Sequence, residues 1–154
     1  MTDYSTKESV ETLVPHKGKM FLLNRISNFS LEKLEIETEV DITDKDLFYD
    51  EELGGVPAWV AFEYMAQSIS ALSGIYGKTQ NEKPKVGFIM SVTSFKAHRS
   101  VFSLGETVKI KVHQTMRMDM AVTFDGMASI GNETVVTAVL NTVEVPDPKK
   151  AVGL

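Results

Sequence analysis

The chain has 154 residues, a formal net charge of -5 and no cysteine. A chain of this length suits one domain, which buries roughly two thirds of its unfolded surface. The absence of cysteine excludes disulfides, thiolate nucleophiles and cysteine-based zinc sites. Because phosphate neutralisation requires clustered Lys and Arg, the acidic charge argues against general nucleic-acid binding. We therefore expect a single domain over residues 1–154 with no nucleic-acid partner.

The N-terminal residues 1–11 are polar and mixed in charge, with no apolar core that could serve as a signal peptide. The most apolar stretch, 56–76, is interrupted by Glu63, Gln67 and several serines, so it does not read as a membrane span. These features predict a cytoplasmic protein that does not enter the membrane, with residues 1–12 loosely ordered.

Two extended segments are predicted next. Residues 20–29 are rich in Phe, Leu and Ile, and a turn is expected near 30–33. Residues 34–42 alternate apolar side chains with Glu and Asp, which is typical of a strand with one face in water.

One long helix is predicted over residues 57–76, where apolar side chains recur at helical spacing. Pro57 suits a first helical turn and Gly77 a C-terminal stop. The helix is apolar around most of its circumference, so it must be covered on nearly every side.

Four further strands are predicted, with a tight turn at Gly131-Asn132 between the last two: 86–95, 107–116, 121–130 and 134–145. Two strands, one helix and four strands predict an α+β domain, an antiparallel sheet wrapped around one long central helix. Because exposed edge strands commonly pair across a two-fold axis, we also expect a dimer.

Three segments resemble the hotdog superfamily of 3-hydroxyacyl-acyl carrier protein dehydratases. They are Leu-Val-Pro-His at 13–16 with Leu-Leu-Asn-Arg at 22–25, Glu-Tyr-Met-Ala-Gln at 63–67, and Phe-Lys-Ala at 95–97 with Leu-Gly-Glu at 104–106. The likeness covers about residues 13–144. It implies a hotdog fold, an acyl carrier protein partner, and a homodimer or a heterodimer with a second hotdog subunit. We expect no cofactor.

The sequence departs from ordinary members just before the helix. Where they carry Gly-His-Phe-Pro-Gly with the catalytic histidine, this chain has Leu-Gly-Gly-Val-Pro-Ala-Trp at 53–59. That variant, followed by Glu-Tyr-Met-Ala-Gln, is similar to the ApeP-like dehydratases of aryl polyene biosynthesis. The resemblance implies an acyl chain that carries an aryl or polyene group.

Dehydration of a 3-hydroxyacyl thioester requires a base for the proton on carbon 2 and an acid for the departing hydroxyl. Glu63 lies in the apolar helix, where burial penalises the charged carboxylate, and this suits the acid. His16, the one histidine in the resembling segments, is the predicted base. The alternatives are a buried structural glutamate and an ordinary loop histidine.

The thioester oxygen gains charge during the reaction and needs donors. Gly54, Gly55 and Val56 precede the helix, where unpaired N–H groups and the positive end of the helix dipole favour an anion. We predict that they bind substrate. The alternative is a flexible turn without a binding role.

Two helix-proximal side chains complete the predicted substrate site. Gln67 lies four residues beyond Glu63, so it shares the same helix face in a polar stripe that continues to Ser70. Trp59 precedes Glu63 by one turn and is a candidate for lining an acyl tunnel, although core packing is the better supported role for it.

Basic residues are concentrated in two places, Lys17, Lys19 and Arg25 in the first and Lys83, Lys85, Lys96 and Arg99 in the second. They are either ordinary solvated surface or a landing site for an acidic carrier domain, for which Lys96 and Arg99 are the predicted contacts. His98 falls in this loop and His113 on the wet face of its strand. The three histidines lack metal-ligand spacing, so we predict no metal site.

Three functions agree with these residues. The favoured one is dehydration of a 3-hydroxyacyl group on acyl carrier protein. The second is hydrolysis of an acyl thioester, because hotdog thioesterases also use a helix carboxylate. The third is a non-catalytic hotdog subunit that supports an active partner, since the usual histidine is missing.

Overall fold

The computed structural model describes residues 3–81 and 86–145, and their helices and strands follow in this order: α1 Lys7–Glu11, β1 Arg25–Ser30, β2 Glu35–Asp41, β3 Gly55–Pro57, α2 Ala61–Thr79, β4 Val86–Ala97, β5 Val101–Ser103, β6 Thr107–Met118, β7 Ala121–Ile130 and β8 Glu133–Val145. None of the helices within these ranges is both long and apolar enough to cross a membrane.

The main sheet has six antiparallel strands in the order β1-β2-β6-β7-β8-β4. β3 and β5 form a separate two-stranded ribbon that the sequence did not predict. The inner face of the main sheet packs against α2, which contacts β2, β4, β6, β7 and β8. The predicted α+β architecture, an antiparallel sheet wrapped around one long helix, is confirmed.

Side-chain alternation in β6 shows how the sheet presents an apolar face to the helix. Val108, Ile110 and Val112 are fully buried on the inner face. Lys109 is exposed and Lys111 half-buried on the outer face. Burial of such apolar side chains stabilises the folded state by about 1.5–3 kcal/mol each.

A buried polar contact fixes the sheet against the helix. Thr38 on β2 and Ser68 on α2 are both fully buried, and their hydroxyl oxygens lie 2.7 Å apart. Ser68 also donates to the carbonyl of Tyr64 at 2.8 Å, so neither hydroxyl is left unpaired. The contact fixes the position of α2 relative to β2.

The first predicted strand begins later than the sequence pattern indicated. Met20 ends a 3-10 turn at Gly18–Met20, residues 21–24 lie outside a strand, and β1 starts at Arg25. The backbone N–H of Leu22 and carbonyl of Met20 pair with the side chain of Gln67. A buried side chain thus replaces the hydrogen bonds that a neighbouring strand would supply.

The observed helix ends differ from the predicted ones, slightly at the start and by three residues at the C-terminal end. Pro57 lies in β3, and a 3-10 turn at Ala58–Val60 precedes α2. At the other end α2 continues through a buried Gly77 to Thr79. A glycine inside a helix costs only about 1 kcal/mol relative to alanine, so packing around α2 can override it.

The expectation that the apolar stretch is covered on nearly every side was also wrong for the described chain. Trp59 is 52% exposed and Tyr76 is 46% exposed. The main sheet covers one face of α2 only, and parts of the opposite face are exposed to solvent.

The N-terminal segment, expected to be loosely ordered, packs against β1. Residues Lys7–Glu11 form α1, whose Val10 is fully buried. Farther along, a Cβ on Gly74 would lie 2.4 Å from the carbonyl oxygen of Leu13, so only glycine allows this close approach without a shift. This contact directs the following residues toward His16 along the helix.

Candidate active site

The structure brings His16 and Glu63 together. Nε2 of His16 lies 3.4 Å from Oε1 of Glu63, and their side chains are 27% and 25% exposed. The separation is slightly longer than a direct hydrogen bond, as catalytic contacts often are without substrate. An imidazole and a carboxyl group therefore face one another at a partly open position.

Both groups line a cavity of about 600 Å³, a size typical of small-molecule sites. One wall is the helix face that carries Glu63, and the opposite walls come from the segment before His16 and from strands β4 and β8. The lining residues are Thr12, Leu13, Val14, Pro15, His16, Glu63, Ala66, Ile69, Ser70, Ser73, Gly87, Phe88, Ile89, Thr142 and Glu144.

Glu63 was predicted to be buried in the core, but a quarter of its side chain is exposed because it faces this cavity. Its Oε1 accepts a hydrogen bond from Nε2 of Gln67 at 3.1 Å. Its Oε2 makes no hydrogen bond with the described residues. One carboxyl oxygen is thus held by the protein, and the other is left to hold or release a proton.

Gln67 is fully buried and uses all its bonding groups within the fold. Its Oε1 accepts from the N–H of Leu22 at 2.8 Å. Its Nε2 donates to the carbonyl of Met20 at 2.8 Å and to Oε1 of Glu63. The sequence predicted a substrate contact here; the structure encloses this side chain and bonds it to Glu63, and its role in substrate binding stays a prediction.

The imidazole of His16 has fewer hydrogen-bond partners than the side chain of Gln67. Its Nδ1 is buried and has no hydrogen-bond partner among the described residues, whereas Nε2 faces Glu63. Unpaired buried polar atoms are rare and often mark functional sites. The ring is therefore not locked by a second hydrogen bond.

The predicted oxyanion donors are engaged elsewhere. The N–H groups of Gly54 and Gly55 both donate to the carbonyl of Asp50, at 2.9 and 3.3 Å. Val56 pairs with Phe102 in the β3–β5 ribbon. None of the three predicted residues is among the described residues that line the cavity, and their role in substrate binding stays a prediction.

Trp59 lies on the surface near the start of α2. Its ring contacts Phe48 edge to face and stacks on Phe62, with centroids 5.7 and 6.2 Å apart. Core packing, the role that the sequence favoured, is wrong because half of the side chain is exposed. Trp59 does not line the described walls of the cavity with His16, so its place in an acyl tunnel also stays a prediction.

The two residues that were predicted to contact the carrier protein differ in how available their side chains are. Lys96 is exposed on β4. Arg99 instead forms two hydrogen bonds with the carboxylate of Glu106, at 2.9 and 2.6 Å. These bonds raise the pKa of Arg99 and lower that of Glu106. Arg99 is therefore already paired, and Lys83 and Lys85 lie outside the described residues.

The remaining histidines, His98 and His113, are exposed. Across residues 3–81 and 86–145, no group of three His, Asp or Glu side chains is arranged to hold a metal ion. At the cavity the imidazole of His16 faces the carboxyl group of Glu63, a pair that suits proton transfer.

Comparison with known proteins identifies the family of this chain from its sequence and similar folds from its structure. A family model described as ApeP dehydratase, of the ApeP-like group, matches residues 8–153. No curated protein matches the chain in sequence.

Among solved structures, the dehydratase heterocomplex ApeI:P from Xenorhabdus doucetiae has a TM-score of 0.83 at 23% identity, covering 94% of this chain and 97% of that chain. A hypothetical thioesterase from Streptococcus pneumoniae, solved with coenzyme A, has a TM-score of 0.60 at 12% identity, covering 79% and 84%. The E. coli PaaI protein from the phenylacetic acid degradation operon has a TM-score of 0.58 at 11% identity, covering 77% and 82%. At these identities the likeness concerns the fold alone.

Proposed function

Because the chain belongs to the ApeP-like dehydratase family, we propose that it removes water from a 3-hydroxyacyl thioester on acyl carrier protein and yields the trans-2-enoyl thioester. The observation that supports this most directly is the 3.4 Å contact between His16 and Glu63 at the wall of one cavity. We place the reaction in aryl polyene or fatty-acid-like biosynthesis in the cytoplasm.

In this reaction His16 is the base and Glu63 the acid. Nε2 of His16 takes the proton from carbon 2, and the electron pair of that C–H bond forms the new double bond to carbon 3. The bond from carbon 3 to its hydroxyl breaks, and Oε2 of Glu63 gives the hydroxyl a proton so that it leaves as water. The assignment to Oε2 follows from the hydrogen bond that Gln67 makes to Oε1.

The pair also completes the cycle without another reactant. After dehydration His16 carries one extra proton and Glu63 lacks one. The proton then passes from the imidazolium to Oε2 of Glu63 through solvent in the cavity, which restores both groups to their starting states. The net reaction releases one water molecule and consumes none, as a lyase requires.

One assay separates dehydration from the alternatives. The purified protein is given a 3-hydroxyacyl thioester, and we expect rising ultraviolet absorbance from the conjugated enoyl thioester without release of free thiol. Prompt thiol release would instead identify a thioesterase. If the absorbance rises only when a second hotdog subunit is added, the chain is a supporting subunit.

We also propose that a second hotdog subunit pairs with the free edge of β4. The ApeI:P structure is described as a heterocomplex, and among the described strands β4 is bonded to β8 alone. Phe88 and Met90 on this edge strand are 40% and 68% exposed. The unpaired N–H and C=O groups of a long edge strand are a template for pairing with a strand of another chain.

Replacing Met90 by Lys is expected to weaken this assembly, because a charge would be buried in a strand-pairing interface. The molar mass from light scattering should fall toward that of one chain. Met118→Lys is the matched control, since Met118 is 71% exposed at the end of an inner strand. An unchanged mass in Met90→Lys would remove the β4 edge as the interface.

For the carrier protein, Lys96 is the better supported contact because its side chain is exposed. Arg99 would first have to leave the Glu106 carboxylate. An acidic carrier domain would therefore meet the β4 surface near Lys96.

A further inference from the structure

His16 approaches Glu63 without hydrogen bonds of its own. Its Nδ1 has no hydrogen-bond partner among the described residues. The backbone groups of Pro15 and His16 make no hydrogen bond within residues 3–81 and 86–145 either. In functional histidines a bond to the second ring nitrogen often orients the ring. Here the chain on both sides of His16 has to hold the imidazole 3.4 Å from Glu63.

Two anchors fasten the chain around His16 to α2. Three residues before it, Leu13 is buried and its carbonyl packs where only Gly74 leaves room. Four residues after it, the carbonyl of Met20 accepts a hydrogen bond from Gln67. Neither anchor is next to His16, so the turn between them needs a constraint of its own.

The side chain of Lys17 supplies this constraint. Its Nζ donates to the carbonyl of Glu11 at 2.6 Å and to the carbonyl of Val14 at 2.9 Å. The bond to Val14 closes a ring of chain that contains Pro15 and His16. The bond to Glu11 ties this ring to the end of α1. Hydrogen bonds from a charged donor are shorter and stronger than neutral ones, so the ammonium group holds the turn firmly.

Lys17 differs in this respect from its basic neighbour Lys19. Both side chains are exposed, but that of Lys19 makes no hydrogen bond with the described residues. An exposed lysine loses side-chain entropy when it is fixed. Two short bonds from Lys17 to one turn therefore indicate a constraint on that turn and distinguish Lys17 from an ordinary solvated cation.

We propose that Lys17 is a positioning residue for the dehydration: its ammonium group fastens the turn at 14–17 and so holds the imidazole of His16 opposite Glu63. This role rests on the proposed function, in which His16 is the base. Lys17 is not among the described residues that line the cavity. Its removal should therefore affect the chemical step through His16 and leave substrate binding nearly unchanged.

The test measures kcat and KM with a 3-hydroxyacyl pantetheine thioester, so that no carrier protein takes part. We expect Lys17→Met to lower kcat about tenfold, because a displacement of about 1 Å at a reacting group is costly. KM should change less than about twofold, since uniform binding is retained. Lys17→Arg, which keeps a charged donor, should recover most of the native kcat. Lys19→Met is the matched control: it removes the same charge nearby and should leave both constants at native values.

A double variant shows whether Lys17 acts through His16. Lys17→Met combined with His16→Ala should be no slower than His16→Ala alone, because no imidazole is left to position. A merely structural role would lower the rate by the same factor in both backgrounds. Rates are compared at a temperature where circular dichroism shows every variant to be folded. If Lys17→Met does not fold, Lys17→Gln replaces it, because the shorter side chain cannot bridge both carbonyls.

A native kcat in Lys17→Met, or the same factor in both backgrounds, would overturn the positioning role and leave the proposed dehydration standing. An equal loss in Lys19→Met would mean that charge alone acts, and would overturn the role as well. If the native protein dehydrates no thioester, the proposed function fails and the role of Lys17 fails with it.

Discussion

Glu63→Gln is expected to lower the dehydration rate by a factor of about 10²–10⁴, the usual contribution of a general acid. The amide has nearly the shape of the carboxyl group and its oxygen still accepts the hydrogen bond from Gln67. It has no acidic proton to give to the departing hydroxyl. The measurement is the initial rate of enoyl thioester formation, with thermal unfolding recorded to show that the variant is folded.

Glu51→Gln is the matched control, because Glu51 lies exposed in a turn and its replacement should leave the rate unchanged. His16→Ala should reduce the rate to a similar extent as Glu63→Gln. Since the two groups act as a unit, the double variant should be little slower than the slower single variant. Native activity in Glu63→Gln would exclude that carboxyl group from the chemistry.

The sequence identified this pair through two different signals. Glu63 stands out as a charged residue within an apolar helix, whereas His16 was identified by the resemblance of its segment. The 3.4 Å contact between them could not be predicted. It depends on an irregular segment whose path along α2 is set by contacts such as Leu13 on Gly74, and periodicity carries no information about such a path.

Strand positions were predictable where side chains alternate between core and water. Strand β7 has the bounds that the pattern predicted, and the turn at Gly131-Asn132 separates it from β8. Prediction was wrong at residues 20–24, where the backbone groups of Met20 and Leu22 bond to a side chain that is distant in sequence. It was also wrong at Gly77, where tertiary packing overrides a local preference for ending the helix.

Residue type alone did not reveal which side chains are available at the surface. Arg99 is a cation in a basic segment, but Glu106 already binds both ends of its guanidinium. Trp59 is a large apolar residue, yet it lies exposed against Phe48 and Phe62.

Gln67→Leu is expected to reduce the free energy of unfolding by about 2–4 kcal/mol and to slow dehydration as well. The leucine side chain nearly fills the same space, but the N–H of Leu22 and the carbonyl of Met20 lose their partners. Each unpaired group of this kind costs about 1–3 kcal/mol. Chemical denaturation measures the loss, and Gln80→Leu, at an exposed position, should change stability by no more than about 0.5 kcal/mol.

The effect on catalysis is separable from the effect on stability. In Gln67→Leu, Oε1 of Glu63 loses the donor that fixes it, so the acid proton is no longer confined to Oε2. We therefore expect kcat to fall at a temperature where the variant remains fully folded, with KM changed less, because the side chain is enclosed within the fold. A stability loss accompanied by native kcat would mean that Gln67 only anchors the chain segment at Met20 and Leu22.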